Sequence, residues 1–390
     1  ETIPKIGFRL IPRVVPLSED LESGSKTHRP FAAGHGLKWF AILVLGLVVV
    51  ASYFWVTRPT DQQLLNGPAV PSIAVLPFLN RSDDPGDEHL SDGISDELIN
   101  LLVQVPGLEV RSRSSSFSFK GENWKMEDIA RELNASLIVD GQVRKVDKRV
   151  RITTQLIDPA TDQYLWSEAY DRELSDIFVL QAEIAQSIVT ALQDEIGPYT
   201  VVVERPTENL EAWQLFLQGR SYFYRRGPAL DKAITLLQMA VDDDPEFAEA
   251  WTFLAAAAAV AWLHPTSISN EEAFQVAQRA SSEALALNPK SGLTLATQAM
   301  LAWHYQGDLN RAFPLLDGAL TQGPLDTTIR LWSGMFYSAW GYREEGFSHY
   351  EFALRNDPRV GLLNSVFAVA LLINGREHLA ALHFDKATAL

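Results

Sequence analysis

The 390-residue chain sets 33 Lys and Arg against 49 Asp and Glu, for a formal net charge of −16, and contains no cysteine. Without thiols there are no disulfide staples, thiolate metal sites or cysteine nucleophiles, and the acidic balance argues against nucleic-acid contact over most of the surface. The length accommodates two or more domains with cores of their own.

The chain begins Glu1-Thr2-Ile3-Pro4-Lys5-Ile6-Gly7-Phe8-Arg9-Leu10-Ile11. Thr2 and Ile3, then Phe8 to Ile11, suit short strands, and Gly7 can take the positive φ of a tight turn. The order E-T-I-P-K-x-G-F-R resembles the last hairpin of the OmpR/PhoB-type winged helix, especially its membrane-anchored CadC-like branch, where the pattern runs E-T-V-P-K-R-G-Y-R. That resemblance implies phosphate contacts at Lys5 and Arg9, which orient a protein on DNA without reading sequence. Ile6 stands where the family usually carries arginine, and the chain holds no recognition helix. Residues 1–13 are therefore expected to be a wing remnant of a longer product, poorly ordered and without specific DNA binding of their own. Residues 14–36, with Pro16, Ser18, Ser23, Gly24, Ser25 and Pro30, read as a flexible cytoplasmic linker.

Residues 39–56, WFAILVLGLVVVASYFWV, carry no charge and no proline. At about 1.5 Å per residue the run spans roughly 27 Å, close to a bilayer's hydrocarbon thickness. Trp39, Tyr53 and Trp55 lie at its ends, with Lys38 and Arg58 just outside. A core helix usually keeps a polar stripe and this run has none; a secretory signal fits poorly because no A-x-A cleavage site follows. A single transmembrane helix is expected over 37–57, then a linker over 58–71. Six basic and four acidic residues precede the run, a net of +2, and the remainder carries a net of −18. Retention of positive flanks predicts a cytoplasmic N-terminus and periplasmic C-terminal domains at a bacterial inner membrane.

Ser72-Ile73-Ala74-Val75-Leu76-Pro77-Phe78 is a continuous apolar run, the mark of a strand covered on both faces. A helix follows with Ile94, Leu98, Leu101, Leu102 and Val105 at helical spacing, ended by Pro106-Gly107. Residues 108–113 read as a second strand, and Met126, Ile129, Ala130 and Leu133 mark a second helix. Strands over 136–146, 149–158 and 164–170 come next, the first pair turned by Asp147-Lys148; alternation of Val150, Ile152, Thr154 and Leu156 predicts one wet face. Ile177, Leu180, Ile184, Ile188 and Ala191 give a closing helix. The order β-α-β-α-β-β-β-α predicts a mixed sheet with helices packed on it, over 72–197. With SIAVLPF, S-D-G-I-S-D-E-L and V-D-G-Q-V-R, this stretch resembles the TolB N-terminal-like domain, a module commonly found between a membrane anchor and helical repeats. Asp92, Asp96 and Glu97 read as acids favoured by the macrodipole of a helix's first turn rather than as catalytic or metal-binding groups. Asp158-Pro159-Ala160-Thr161-Asp162 reads as a turn.

Ala…Pro pairs recur at Ala240/Pro245, Ala284/Pro289, Ala319/Pro324 and Ala353/Pro358, with prolines 44, 35 and 34 residues apart. Seven residues before each alanine stands another small residue: Ala233, Ala277, Ala312 and Gly346. A period of about 34 residues of paired helices resembles the tetratricopeptide pattern, with an insertion near His264-Pro265-Thr266. Small side chains let the paired helices approach while proline stops the second of them. Trp213, Trp251 and Trp332, with Phe216 and Tyr337, are expected to fill the seams. Ala380, Phe384 and Ala387 keep the spacing, so about five repeats, the last incomplete, cover 207–390. Such arrays present a concave surface to a protein or peptide partner.

No Walker A, G-x-G-x-x-G, G-x-S-x-G or H-E-x-x-H pattern occurs, and the eight histidines show no metal-ligand spacing. No catalytic site, metal or cofactor is expected. The expected fold class is a multi-domain α+β chain: one transmembrane helix, an α/β TolB-like domain with a mixed sheet, then an all-α tetratricopeptide superhelix. The CadC-like resemblance implies a membrane-anchored transcriptional regulator that couples a periplasmic sensory region to a cytoplasmic DNA-binding winged helix. Its partners would be DNA, the membrane, a protein or peptide in the repeat groove, and a second copy of the chain that pairs two winged helices on adjacent half-sites. The alternatives are an envelope scaffold with no DNA role, or the C-terminal region of a membrane-bound nucleotide cyclase, a family that also carries TolB-like and repeat modules.

Overall fold

The computed structural model describes residues 70–121, 124–202 and 205–390. Lys5, Arg9, the tether and the helix expected over 37–57 lie outside the described residues.

Strand β1 (Ser72–Val75) is buried at every position, as its unbroken apolar run requires. It lies between β3 (Glu109–Val110) and β4 (Leu137–Val146), parallel to both, in a sheet of order β3-β1-β4-β5-β6. A two-residue β2 (Leu79–Asn80) also pairs with β4. Antiparallel β5 (Arg149–Asp158) and β6 (Gln163–Glu173) complete it, with Val150, Ile152, Thr154 and Leu156 turned inward and Arg149 and Arg151 exposed. Helix α1 (Glu88–Val103) follows a short 3-10 turn, and the chain reverses after it at Gly107, whose φ of 79° lies in the left-handed region. The strand expected over 108–113 stops early. Ser112 caps a new helix, α2 (Arg113–Phe117), by accepting from the Ser115 amide, so the serine run turns the backbone out of the sheet. Helices α3 (Met126–Leu133), α4 (Ile177–Ala191) and the short α5 (Gln193–Ile196) complete this layer.

Five helical hairpins follow: α6 (Leu210–Arg225) with α7 (Ala229–Asp243), α8 (Ala248–Ala259) with α9 (Asn270–Leu287), and α10 (Gly292–Met300) with α11 (Leu309–Gln322). Then come α12 (Thr327–Ala339) with α13 (Arg343–Asn356), and α14 (Gly361–Ile373) with α15 (Glu377–Ala389). They are tetratricopeptide-type repeats, and the structure gives the Ala…Pro pairs a physical reason. The carbonyls of Ala240, Ala284, Ala319 and Ala353 accept the last N–H of the second helix, just ahead of the proline, and all four side chains are buried. Ala233, Ala277 and Ala312 have no exposed surface, and a Cβ on Gly346 would stand 2.3 Å from Ser338 Oγ, so only small residues fit there. Trp213, Phe216, Trp251 and Trp332 are buried, whereas Tyr337 is half-buried. The insertion around His264 is a 3-10 turn and loop between α8 and α9.

The expected fold class needs correction. Residues 70–390 form one compact unit that is mostly helical with a small mixed sheet, rather than separate α/β and all-α bodies. No helix among the described residues is long and apolar enough to cross a membrane. The two expected bodies merge because α1 is buried around nearly its whole circumference, with Ile94, Leu98 and Leu102 inaccessible and Ser91, Gly93 and Ser95 covered as well. One face meets the sheet and the other meets α6. A Cβ on Gly93 would lie 2.4 Å from Leu217 Cδ1, and Trp213 meets the ring of Phe178 from α4 edge-on at 5.2 Å. A single apolar cluster therefore runs from Ile73 in the sheet through both helices into the repeats. Gly93→Val should overpack this junction and lower stability by about 1–3 kcal/mol, read as a lower urea midpoint at unchanged slope.

Candidate functional site

Helices α1 and α4 face the first helices of successive hairpins across a cavity of about 570 Å³. Its walls carry Asp96 and Glu97 from α1, Gln181 from α4, Arg220 and Tyr224 from α6, Glu249 from α8, Ser291 before α10 and Asp326 before α12. The first helices of the first four hairpins, or the turns just before them, thus contribute to the same wall. The sequence predicted a repeat groove open to a partner. Instead, part of that groove is roofed by the chain's own α/β layer.

Arg220 sits at the centre of the junction, almost wholly buried. Its Nη2 donates to Glu97 Oε1 at 2.7 Å, its Nε lies 3.1 Å from Asp96 Oδ2, and its guanidinium rests 4.7 Å from the centre of the Phe216 ring. Arg113 from α2 approaches the same Asp96 oxygen at 3.2 Å and stacks between Phe117 and Tyr224, at 4.0 and 4.3 Å. Burial by itself would lower the Arg220 pKa; the Asp96 and Glu97 carboxylates more than reverse this, so the guanidinium stays charged. Burial and the nearby Asp96 charge push the Tyr224 phenol up.

These contacts give the acids of α1 a role other than the expected one. The helix begins at Glu88, so Asp92, Asp96 and Glu97 lie beyond its first turn, where the macrodipole has little hold. Asp92 pairs with Lys120 at 2.5 Å, and the other two reach across to the repeats. Asp158 behaves as its turn motif implied, its Oδ1 accepting from the Ala160 amide at 2.9 Å.

Glu249 forms no ion pair or hydrogen bond among the described residues. Enclosure by protein raises its carboxyl to about 7; Glu97 and Asp96 push the same way while Arg220 opposes. Its side chain is open to the water of the cleft, which trims the effect of enclosure and leaves the two like charges as the durable cause. Asp326, its side chain exposed, accepts from the Ile329 amide at 2.9 Å as the cap of α12; the surrounding protein raises its carboxyl against that hydrogen bond, an effect the exposure trims. Gln181, 2 % exposed, lines the same wall, and its Nε2 has no hydrogen-bond partner.

A second grip lies beyond the cleft. Ser115 Oγ donates to Asp357 Oδ1, a buried carboxylate in the turn after α13. Arg359 Nε donates to Ser118 Oγ at 2.9 Å, and its guanidinium lies over the rings of Phe119 and Trp124 at 4.4 and 5.2 Å. Burial pushes the Asp357 carboxyl up, against the hydrogen bonds from Ser112, Ser115 and Thr327. The α/β layer is thus held at the first repeat and again between the fourth and the fifth. The only trace of this second grip in the sequence is the serine run over 112–116.

No family model matches the chain. A protein of Rhizobium meliloti (strain 1021) named "Putative adenylate cyclase 3" is 41 % identical over 155 residues, which make up 39 % of this chain and 26 % of that protein. The chain thus spans about a quarter of this relative's length. Among solved structures, a thermophilic TPR protein of Thermus thermophilus matches 45 % of this chain and 89 % of its own at 20 % identity, with a TM-score of 0.38. PilW, a widely conserved type IV pilus biogenesis factor, matches 46 % of this chain and 78 % of its own at 18 % identity, with a TM-score of 0.35.

Proposed function

We propose that residues 70–390 are the sensing and protein-interaction module of a signalling protein, held closed by docking of the α/β layer into the inner face of the repeats. The observation that carries this reading is the two-point grip, Arg220 on Asp96 and Glu97 at one end and Asp357 with Arg359 on α2 at the other. The layers share an apolar core at α6, so the polar far grip at Asp357 and Arg359 is the end that partner contacts can exchange for most readily, and binding has a defined equilibrium to bias.

The output that the module governs has two readings. The E-T-I-P-K-x-G-F-R run with Lys5 and Arg9 supports a DNA-binding winged helix, and hence a transcriptional regulator. The 41 % identity to the relative named as an adenylate cyclase supports a nucleotide cyclase instead, and is the more extensive resemblance. Expressing the uninterrupted reading frame that encodes this chain, with assays for cyclic-nucleotide formation and for promoter binding, separates the two. In that same product the double variant Asp357→Ala, Arg359→Ala should release the far grip and shift output severalfold without added signal. Unchanged output with the grip released would overturn the module reading.

A further inference from the structure

The fourth and fifth hairpins correspond position for position at a spacing of 34 residues, and their contacts repeat with the spacing. Arg330 Nη1 meets His349 Nδ1 at 3.0 Å, and the corresponding Asn364 Oδ1 meets His383 Nδ1 at 2.9 Å. Tyr342 stands edge-on to Phe313, and the corresponding Arg376 lies 4.7 Å above the corresponding Phe347. One position breaks the match. In the fourth hairpin Tyr337 occupies the groove between α11 and α13. Its ring stacks on His349 at 5.3 Å with 22° between the planes, and its hydroxyl lies 3.5 Å from Asp317 Oδ1. In the fifth hairpin that position is Leu371, which has neither ring nor hydroxyl.

The groove between α13 and α15 is consequently open, with a volume of about 390 Å³. Glu351, His383 and Arg376 line it at the positions that Asp317, His349 and Tyr342 hold one repeat earlier. Phe367 and Leu371 are buried at its base. At the rim, Leu379 replaces the fourth hairpin's Glu345 and is 43 % exposed. Leu382 replaces Ser348 one turn further along and is 46 % exposed. Residues three apart are neighbours on a helix, so the pair carries the apolar surface outward from the groove. The chain therefore fills one copy of this groove with its own phenol and leaves the other with the same walls and no ring.

We infer that the groove between α13 and α15 docks a tyrosine side chain of a partner protein, its ring on His383 and its hydroxyl donating to Glu351. Tyr337 supplies the pattern within the chain. A ring buries a large apolar area while its hydroxyl finds a polar partner at the edge, which is what these walls offer. The surroundings fit a tyrosine carried on a segment rather than a free phenol. Leu379 and Leu382 offer apolar surface beyond the ring site, and Arg355 and Arg376 flank it with positive charge that suits acidic neighbours of the tyrosine. Arg376 holds Glu344 only at 3.6 Å, with both side chains well exposed, so a partner carboxylate can replace that contact. The groove belongs wholly to α13, α14 and α15, and the inference goes beyond the docked-layer reading without depending on it.

The test is fluorescence anisotropy on the full chain with a short labelled alanine peptide carrying a central tyrosine, a neighbouring leucine and a glutamate at each end. The expected result is saturable binding that disappears when the peptide's tyrosine becomes alanine. Replacing it with phenylalanine should weaken binding about tenfold, the loss of one hydrogen bond to a charged group. In the chain, Leu371→Tyr writes the fourth hairpin's ring into the groove and should abolish binding. Leu379→Glu copies Glu345 at an exposed position, leaves the fold intact, and should weaken binding severalfold; it decides the matter if the new tyrosine lowers the urea midpoint. No saturable binding, or undiminished binding by Leu379→Glu, would overturn the inference. So would equal affinity for tyrosine amide, which would make the ligand a free phenol. Tighter binding of the phosphotyrosine peptide would also overturn it, by showing an anion site on Arg355 and Arg376 in place of a phenol donating to Glu351.

Discussion

Arg220→Ala is expected to lower the stability of the folded unit by about 3–5 kcal/mol in urea denaturation, because in a largely buried junction it leaves Glu97 without a partner and Asp96 with Arg113 alone. The cost arises from the acids left behind rather than from the worth of the ion pair itself. Converting the whole cluster together, Arg220→Met and Arg113→Met with Asp96→Leu and Glu97→Gln, should therefore recover much of the loss even though every charge contact is gone. If Arg220→Ala is silent, Arg220 does not clamp the two layers.

Trp213→Ala should cost about 3–5 kcal/mol in the same measurement. Trp213 has no exposed surface and meets Phe178 of α4 edge-on, so its removal opens a void where the sheet layer and the first repeat share their core. Its indole Nε1 has no hydrogen-bond partner, so Trp213→Phe, which keeps most of the ring and removes the orphaned donor, should cost far less than the alanine. A pair of variants in which phenylalanine is as damaging as alanine would mean that the indole nitrogen matters in a way the packing does not explain.

The local architecture was largely legible in the sequence. The unbroken run over 72–78 and the Val150, Ile152, Thr154 and Leu156 alternation read correctly as a covered strand and a half-wet one, because burial on one or both faces writes directly onto period two. The Ala…Pro pairs read correctly because each marks a helix end and a close crossing within one hairpin. The union of the two layers escaped notice for a physical reason. Glu97 and Arg220 are 123 residues apart and Ser115 and Asp357 are 242 apart, and no periodicity records partners at such separations. Even so, α1 carried a usable sign. Ser91, Gly93 and Ser95 are small residues that flank the apolar stripe of Leu90, Ile94, Leu98 and Leu102, and small residues beside such a stripe let a second element pack closely. Reading Asp96 and Glu97 as first-turn acids hid that sign, since it treated their face as solvated. The groove residues Glu249 and Gln181 had no sequence signal at all, because what singles them out is the absence of a partner.

The central claim is that the α/β layer is docked in the inner face of the repeats. With no native cysteine in the chain, Ser118→Cys paired with Arg359→Cys places two unique thiols at the far grip, where Arg359 Nε and Ser118 Oγ lie 2.9 Å apart. Reaction with a short bis-maleimide, followed by peptide mass spectrometry, should give a near-complete intrachain link in dilute solution. Two separately modified thiols, or links formed only between chains, would contradict the docked arrangement.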